Sequence, residues 1–468
     1  MNNYLRLYYE KLQLYEEQIM EDLAELVSIP SIFDEKTITP YAPFGENVRN
    51  VFTNMLDICR RDSFSHADFD GYAIHIEYGE GKEIVGILAH LDIVSEGDKE
   101  NWMFDPFILT EHDGYLYGRG VNDDKAPLLA AYYAMKIVRD LNIPFNRKVR
   151  LIIGGAEETT WECIDHYFKH NPRPIMGFSP DGDFPIVNGE KGVIQGTFTF
   201  VEGNQGTNKG AMTTLLAIES EQQRGFICER LKATFTSDHP ENLKNLLCHA
   251  EEVTILNQII TVVYRGEKTL SRNPHKGENA FFKFAKDLIR LQDVISNTHE
   301  FSRLIENYFL EDVCGEKIGL YQEDLEMGTT TFGIPFVTYD GTTFEIAIDY
   351  RYPKGQTVDS ALEKIQSFSR KHSWKFTSYK TQELLYVESN SKLIRTLQKA
   401  YKVVTGEDAE LLTKGGISYA RSLQNCVAFG PTFSGDHPNT HKPNERIRIK
   451  TLYKAIIIYC ETLRLLVS

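Results

Sequence analysis

Residues 83–92 read Glu83-Ile84-Val85-Gly86-Ile87-Leu88-Ala89-His90-Leu91-Asp92, an apolar run that ends abruptly in a histidine and an aspartate. The run reads as a strand, because it is short, apolar and rich in branched residues. Residues 125–141, KAPLLAAYYAMKIVRDL, then read as a largely buried helix that tolerates Pro127 in its first turn. A second apolar strand, Val149 to Ile153, runs into Gly154-Gly155-Ala156-Glu157-Glu158. Strands alternating with long helices predict an α/β layer with a partly parallel sheet. Chemistry in such sheets collects beyond the carboxyl ends of strands. His90 and the Glu157-Glu158 pair both occupy that kind of position.

Working outward, apolar residues recur at helical spacing through the first 28 residues and stop at Ile29-Pro30, and a second helix fits 45–61. From Gly192 to Val201 the pattern alternates as a strand does, and a Gly/Asn/Thr-rich loop follows. Mixed helix and strand patterns continue to about 386. From about 390 a long helix, SKLIRTLQKAYKVVTG, and apolar–glycine segments return to the texture of the first part. The expected organisation is a discontinuous domain, 1–192 plus 387–468, interrupted by an α+β insertion at 193–386.

Composition limits the function. The chain has 468 residues with Lys+Arg 51 against Asp+Glu 66, a net charge of −15. Hydrophobic residues at 42% and charged residues at 25% are ordinary for a folded chain. An acidic chain with no block of Lys/Arg lacks the electrostatic footprint for nucleic acid or an anionic membrane surface. Seven scattered cysteines without a CxxC pair fit neither a disulfide framework nor a thiolate zinc site. The N-terminus carries charges throughout, and the run Ala455–Cys460 is far short of the roughly 20 residues that span a bilayer. A soluble cytoplasmic protein is expected.

Several short stretches are candidates for chemistry. His90 and Asp92 stand two apart on a strand and so share a face. An imidazole beside a carboxylate is how proteins orient a metal-binding histidine, although a strand-end cap uses the same residues. Gly118-Arg119-Gly120-Val121-Asn122-Asp123-Asp124-Lys125 makes either a turn with a helix cap or a site for a carboxylate bridging two cations. Glu157 and Glu158 are either a solvated edge or a ligand beside a proton acceptor. Asp181, in SPDGDFP (179–185), and His441, in HKPNE (441–445), complete the set. Imidazole and carboxylate donors without a thiolate suit zinc, manganese or cobalt.

As an ordered set, these stretches resemble the co-catalytic di-metal peptidases and amidohydrolases. That family includes dipeptidase V, carboxypeptidase G, succinyl-diaminopimelate desuccinylase and aminoacylases. The matching segments are HLDIVSEGD (90–98), GRGVNDDKAP (118–127), GGAEETTW (154–161), SPDGDFP with GEKG (189–192), and HKPNE. KGGISYAR (414–421) and DYRYP (349–353) match more weakly, and the whole looks most like the dipeptidase V branch.

The resemblance implies a di-zinc-type catalytic domain, with a central mixed sheet flanked by helices, and an inserted lid. It implies two divalent ions, zinc first with manganese or cobalt as alternatives, sharing Asp123. His90 and Asp181 would complete one site, Glu158 and His441 the other. Asp123 rather than Asp124 fits the bridging position, and Asp124 would serve the turn or helix start. His437 is a rival for His441. Glu157 would be the general base, and Asp92 would steer the ligands. Arg351 matches a lid arginine that binds a substrate carboxylate; as a bare residue it reads equally as a strand-end ion pair. Gly415-Gly416 would bring backbone close to the substrate.

Two departures stand out. The column where the family's lid carries a histidine holds Leu270, with His275 on the wrong side of Pro274. The family's lid asparagine is not evident around Lys209–Thr214. The implied function is hydrolysis of dipeptides or short peptides by a monomer. The alternatives are an N-acyl amino-acid deacylase or an impaired, peptide-binding relative.

Overall fold

The computed structural model describes residues 3–201, 213–222 and 224–467. Most of the segment in which the lid asparagine was expected, Lys209–Met212, lies outside the described residues. Two compact units divide the chain. One comprises Met1–Gly189, Leu385–Thr413 and Ile417–Ser468; the other comprises Glu190–Leu384 with Lys414–Gly416. The sequence pattern leaves 414–416 with the flanking segments. Backbone pairing draws it to the second unit, where the Lys191 N–H donates to the Lys414 carbonyl at 2.9 Å.

The first unit is built on a nine-stranded mixed sheet. Its centre is three parallel strands in the order Lys148–Gly154, Ile84–His90 and Met176–Ser179. Every residue of Ile84–His90 is buried, which accounts for an unbroken apolar run where a half-exposed strand would alternate. The register sets His90 beside Gly154, so neighbouring strand ends open at one level.

Helix Lys125–Asp140 is buried at every position from Lys125 to Val138 and packs against helix Ile449–Val467. Truncating one large side chain here, such as Leu129→Ala, costs about 2–5 kcal/mol. Lys125 enters the core because its ammonium donates to the Leu26 and Ile29 carbonyls, both at 2.8 Å. These lie at the carboxyl end of helix Asn3–Ser28, where unpaired carbonyls and the helix dipole favour a cation. Helix Lys392–Thr405 starts at Ser391, whose hydroxyl accepts from the Ile394 N–H, and ends at Gly406 in the left-handed conformation. All seven cysteines are free. Among the described residues, no helix is long and apolar enough to cross a membrane.

The second unit is α+β. Its main path is antiparallel, running Glu252–Leu256, Ile259–Arg265, Arg230–Ser237, Thr213–Ser220, Val337–Tyr339, Thr343–Tyr352, Gly192–Val201 and Lys375–Gln382. Helices Ala280–Arg290, His299–Tyr308 and Val358–Lys371 accompany it. Its core is aromatic: Phe301 stacks on Phe344 with centroids 3.6 Å apart, and Phe309 stacks on Trp374 at 5.5 Å. Gly192 pairs with Tyr352, and a methyl there would come within 2.0 Å of the tyrosine ring. Only glycine admits that approach.

Candidate metal centre

Three parallel strands deliver three parts of one cluster. His90 closes Ile84–His90, with Asp92 two residues on. Glu157 and Glu158 follow Lys148–Gly154, and Asp181 follows Met176–Ser179. Asp123 comes from the turn before helix Lys125–Asp140. His441 comes from the loop before strand Arg446–Arg448, in a left-handed conformation with φ 62°.

Asp123 joins the two histidines. Its Oδ1 lies 2.9 Å from His90 Nε2 and its Oδ2 lies 2.9 Å from His441 Nε2. His441 Nε2 is also 2.8 Å from Glu158 Oε1, and His90 Nε2 is 3.9 Å from Asp181 Oδ2. Donor atoms of His90, Asp123 and Glu158, and separately of His90, Glu157 and Asp181, fall within 4.8 Å of one another. All five expected ligands and Glu157 therefore meet. His441 reaches the carboxylates, whereas His437 meets Arg446 through its backbone carbonyl.

Asp92 works differently from the simple strand-face picture. His90 Nδ1 lies 2.9 Å from the Asp92 backbone carbonyl and 3.5 Å from its carboxylate. A carbonyl can only accept, so Nδ1 carries a hydrogen, and Nε2 is the ring atom turned toward Asp123. The Asp92 carboxylate accepts instead from the Glu157 N–H at 3.1 Å and the Glu158 N–H at 3.0 Å. It fixes the backbone that aims both glutamates.

The charges are strongly coupled. Burial opposes an imidazolium at His90, yet hydrogen bonds to Asp123 and Asp92 outweigh it and raise its proton affinity well above the usual range. Burial also opposes charge at His441, and Glu158 and Asp123 overcome it. Burial pushes Asp123 toward protonation, but hydrogen bonds from His441 and His90 hold it well below the ordinary carboxylate range. Burial first, with neighbouring carboxylates adding, raises Glu157 and Glu158. Protons on the histidines thus offset crowded carboxylates, as divalent cations do when ligands are shared.

Several contributors escape a reading by motif. Arg119 and Glu445 form a buried ion pair at 2.6 Å. The other Glu445 oxygen accepts from the Asn122 N–H at 2.9 Å and the Asp123 N–H at 3.2 Å. The Arg119 guanidinium lies over the Trp102 ring, 5.1 Å from its centroid. Trp161 Nε1 donates to the Glu157 carbonyl at 2.6 Å. Tyr419 packs where a methyl on Gly154 would stand, 2.3 Å from its hydroxyl. Asp124 stands at the start of helix Lys125–Asp140 as its N-cap residue, but its side chain makes no cap bond and accepts instead from the His90 N–H at 3.1 Å. Arg119, Trp161 and Glu445 all sit inside the quoted motifs, but the ion pair joins segments remote in sequence.

The profile of peptidase family M20/M25/M40 matches residues 86–465. This chain belongs to that family. It is 34% identical over 457 residues to the Bacillus subtilis (strain 168) protein named "Putative dipeptidase YtjP", covering 96% of each chain. Human carnosine dipeptidase 1 shares the fold with a TM-score of 0.59 at 17% identity, over 99% of each chain. The M20 family metallo-carboxypeptidase Sso-CP2 from Sulfolobus solfataricus does so with a TM-score of 0.59 at 17% identity, over 96% of this chain and 98% of that one.

Membership of this metallopeptidase family implies divalent metal ions. The M20 chain's own donors fit them: imidazole nitrogens and carboxylate oxygens converge without a thiolate. Glu157 Oε1 is buried with no hydrogen-bond partner, a polar atom aimed at something other than protein.

In the second unit, the Arg351 guanidinium is engaged. Nε and Nη2 pair with both oxygens of buried Asp349 at 2.6 and 2.9 Å, and Nη1 donates to the Gly415 carbonyl at 3.0 Å. The ion-pair reading of Arg351 describes this geometry, and the residue anchors the Gly415-Gly416 segment. Leu270 forms an isolated bridge with Phe226, and His275 is exposed. Asn279 serves the local fold. Its oxygen accepts from the Phe281 N–H at 3.0 Å and caps helix Ala280–Arg290.

Proposed function

We propose that this chain is a metal-dependent dipeptidase. Two divalent ions, zinc first and manganese or cobalt as alternatives, would be held by His90, Asp123 and Asp181 and by Asp123, Glu158 and His441. The observation that carries the reading is the Asp123 carboxylate, which offers one oxygen to each histidine at 2.9 Å. When bound, such a pair activates a water and polarises the scissile carbonyl.

Glu157 is the group suited to move the proton. Its Oε1 is buried without a partner, and burial raises its proton affinity, which favours accepting a proton from water and passing it to the leaving amine. Asp92 positions Glu157 through the backbone. Trp161, on the Glu157 carbonyl, restrains it from the other side. Arg351 and Gly415-Gly416 form the substrate-facing segment of the second unit, with Arg351 holding Gly415 so that glycine backbone meets the peptide. The second unit serves as a lid, and the protein works as a cytoplasmic monomer.

The test is a dipeptide panel with zinc- or manganese-loaded protein beside Glu157→Ala. Turnover that disappears in a variant still holding its metals supports the reading. No turnover with either metal contradicts it. Leu270 favours the second reading, an impaired peptide binder: there, dipeptides would bind without being cut.

A further inference from the structure

Helix Asn3–Ser28 gives way to Ile29-Pro30, and the residue that follows, Ser31, is 0% exposed. Its bonds cross to a segment 60 positions along the chain. The Ser31 hydroxyl donates to the Leu91 carbonyl at 2.6 Å, and the Ser31 carbonyl accepts from the Ile93 N–H at 3.1 Å. Between those two partners stands Asp92. The Leu91 carbonyl belongs to the peptide plane before Asp92, and the Ile93 N–H to the plane after it. With both planes held by one residue, the two soft backbone dihedrals of Asp92 are fixed.

What Ser31 holds is used at the candidate centre. The plane after Asp92 carries the Asp92 carbonyl, 2.9 Å from His90 Nδ1. The Asp92 side chain, whose direction follows from its backbone, accepts from the Glu157 and Glu158 N–H groups at 3.1 and 3.0 Å. The same turn is tied on its other side to the segment bearing Asp123. The Ile29 carbonyl accepts from the Ser31 N–H at 2.9 Å and from the ammonium of Lys125, two residues after Asp123, at 2.8 Å. A hydroxyl that merely satisfied a buried carbonyl could stand anywhere along the segment. This one brackets the residue that orients His90, Glu157 and Glu158.

We propose that Ser31 is a positioning residue for the hydrolysis, setting the backbone of Asp92 and, through Asp92, the aim of Glu157 and Glu158, a role that rests on the metal-dependent dipeptidase reading. Outer partners of this kind act by fixing the direction of the groups that meet metal and water. Losing the Ser31 hydroxyl removes the donor from the buried Leu91 carbonyl and frees the plane before Asp92 to turn.

A double-mutant cycle tests it, with dipeptide turnover and zinc affinity measured on the full chain in wild type, Ser31→Ala, Asp92→Asn and the double variant, corrected for folded fraction. Ser31→Ala is expected to lower kcat about tenfold with KM changed less than about twofold. In the Asp92→Asn background the same substitution is expected to cost less than about threefold, because the group it acts through is already lost. A purely structural serine would lower stability and leave kcat of the folded protein as it was. Wild-type kcat in Ser31→Ala, or losses that multiply in full in the double variant, overturns the proposal. Should Ser31→Ala fail to fold, Ser31→Cys, with a weaker donor in the same place, carries the same comparison. A wild type that cleaves no dipeptide would contradict the peptidase reading instead, and zinc affinity then decides. A fall of about threefold or more in the Ser31 variant supports the role, and an unchanged affinity overturns it.

Discussion

Arg119 and Glu445, 326 positions apart in the chain, form an ion pair with Nη1 2.6 Å from Oε2, and both side chains are 1% exposed. The pair matters because the other Glu445 oxygen holds the Asn122 and Asp123 N–H groups, and Asp123 is the shared ligand of the candidate centre. Glu445→Gln leaves Arg119 buried without its counter-charge and loosens the turn. A loss of about 3–5 kcal/mol is expected from breaking such a pair, read by denaturant unfolding. In the folded fraction, zinc affinity should fall by about 10–100-fold, because outer partners orient the ligands.

Asp92→Asn separates positioning from ligation. An amide offers one acceptor oxygen, whereas the carboxylate serves the Glu157 and Glu158 N–H groups with one oxygen each. One N–H would then face an amide NH2. A fall in kcat of about 10–100-fold is expected, with KM changed less. A wild-type kcat in Asp92→Asn would count against positioning.

Acid stability has a contributor away from the centre. Burial first, then Arg150, lowers the His75 pKa from 6.5 to about 4, while its Nδ1 meets the Tyr167 hydroxyl at 2.7 Å. The unfolded chain therefore binds a proton at higher pH than the folded one does. The stability tied to neutral His75 is complete above about pH 6.5 and is lost as pH falls toward 4. His75→Gln should flatten that part of the profile in denaturant unfolding, measured at about pH 7.5, 6 and 5 with wild type as the reference.

Much of this is legible in the residues. The run to His90 and the run to Ile153 mark buried parallel strands because apolar residues dominate them, and the charged Arg150 of the second run is paired with Glu77. Helix Lys125–Asp140 is legible for the same reason. The ordered motifs bring His90, Asp123, Glu157, Glu158, Asp181 and His441 into one expected cluster, and these side chains do meet. The Arg119–Glu445 pair is not legible, since nothing local in either segment names a partner 326 positions away. The partner of the Asp124 side chain is hidden for a related reason: the residue does stand at the helix start, but the His90 N–H, brought near only by folding, takes its carboxylate. Arg351 is ambiguous in the sequence because its partner, Asp349, sits two residues away on the same strand, and only the fold shows the two side chains paired.

The most direct measurement is metal content after equilibrium dialysis against zinc, in wild type, Glu157→Ala and Asp123→Ala. The expected result is two ions per chain in wild type and in Glu157→Ala, with fewer than one in Asp123→Ala, where the shared carboxylate is gone. One ion per chain in wild type, or two retained by Asp123→Ala, would contradict a centre bridged by Asp123.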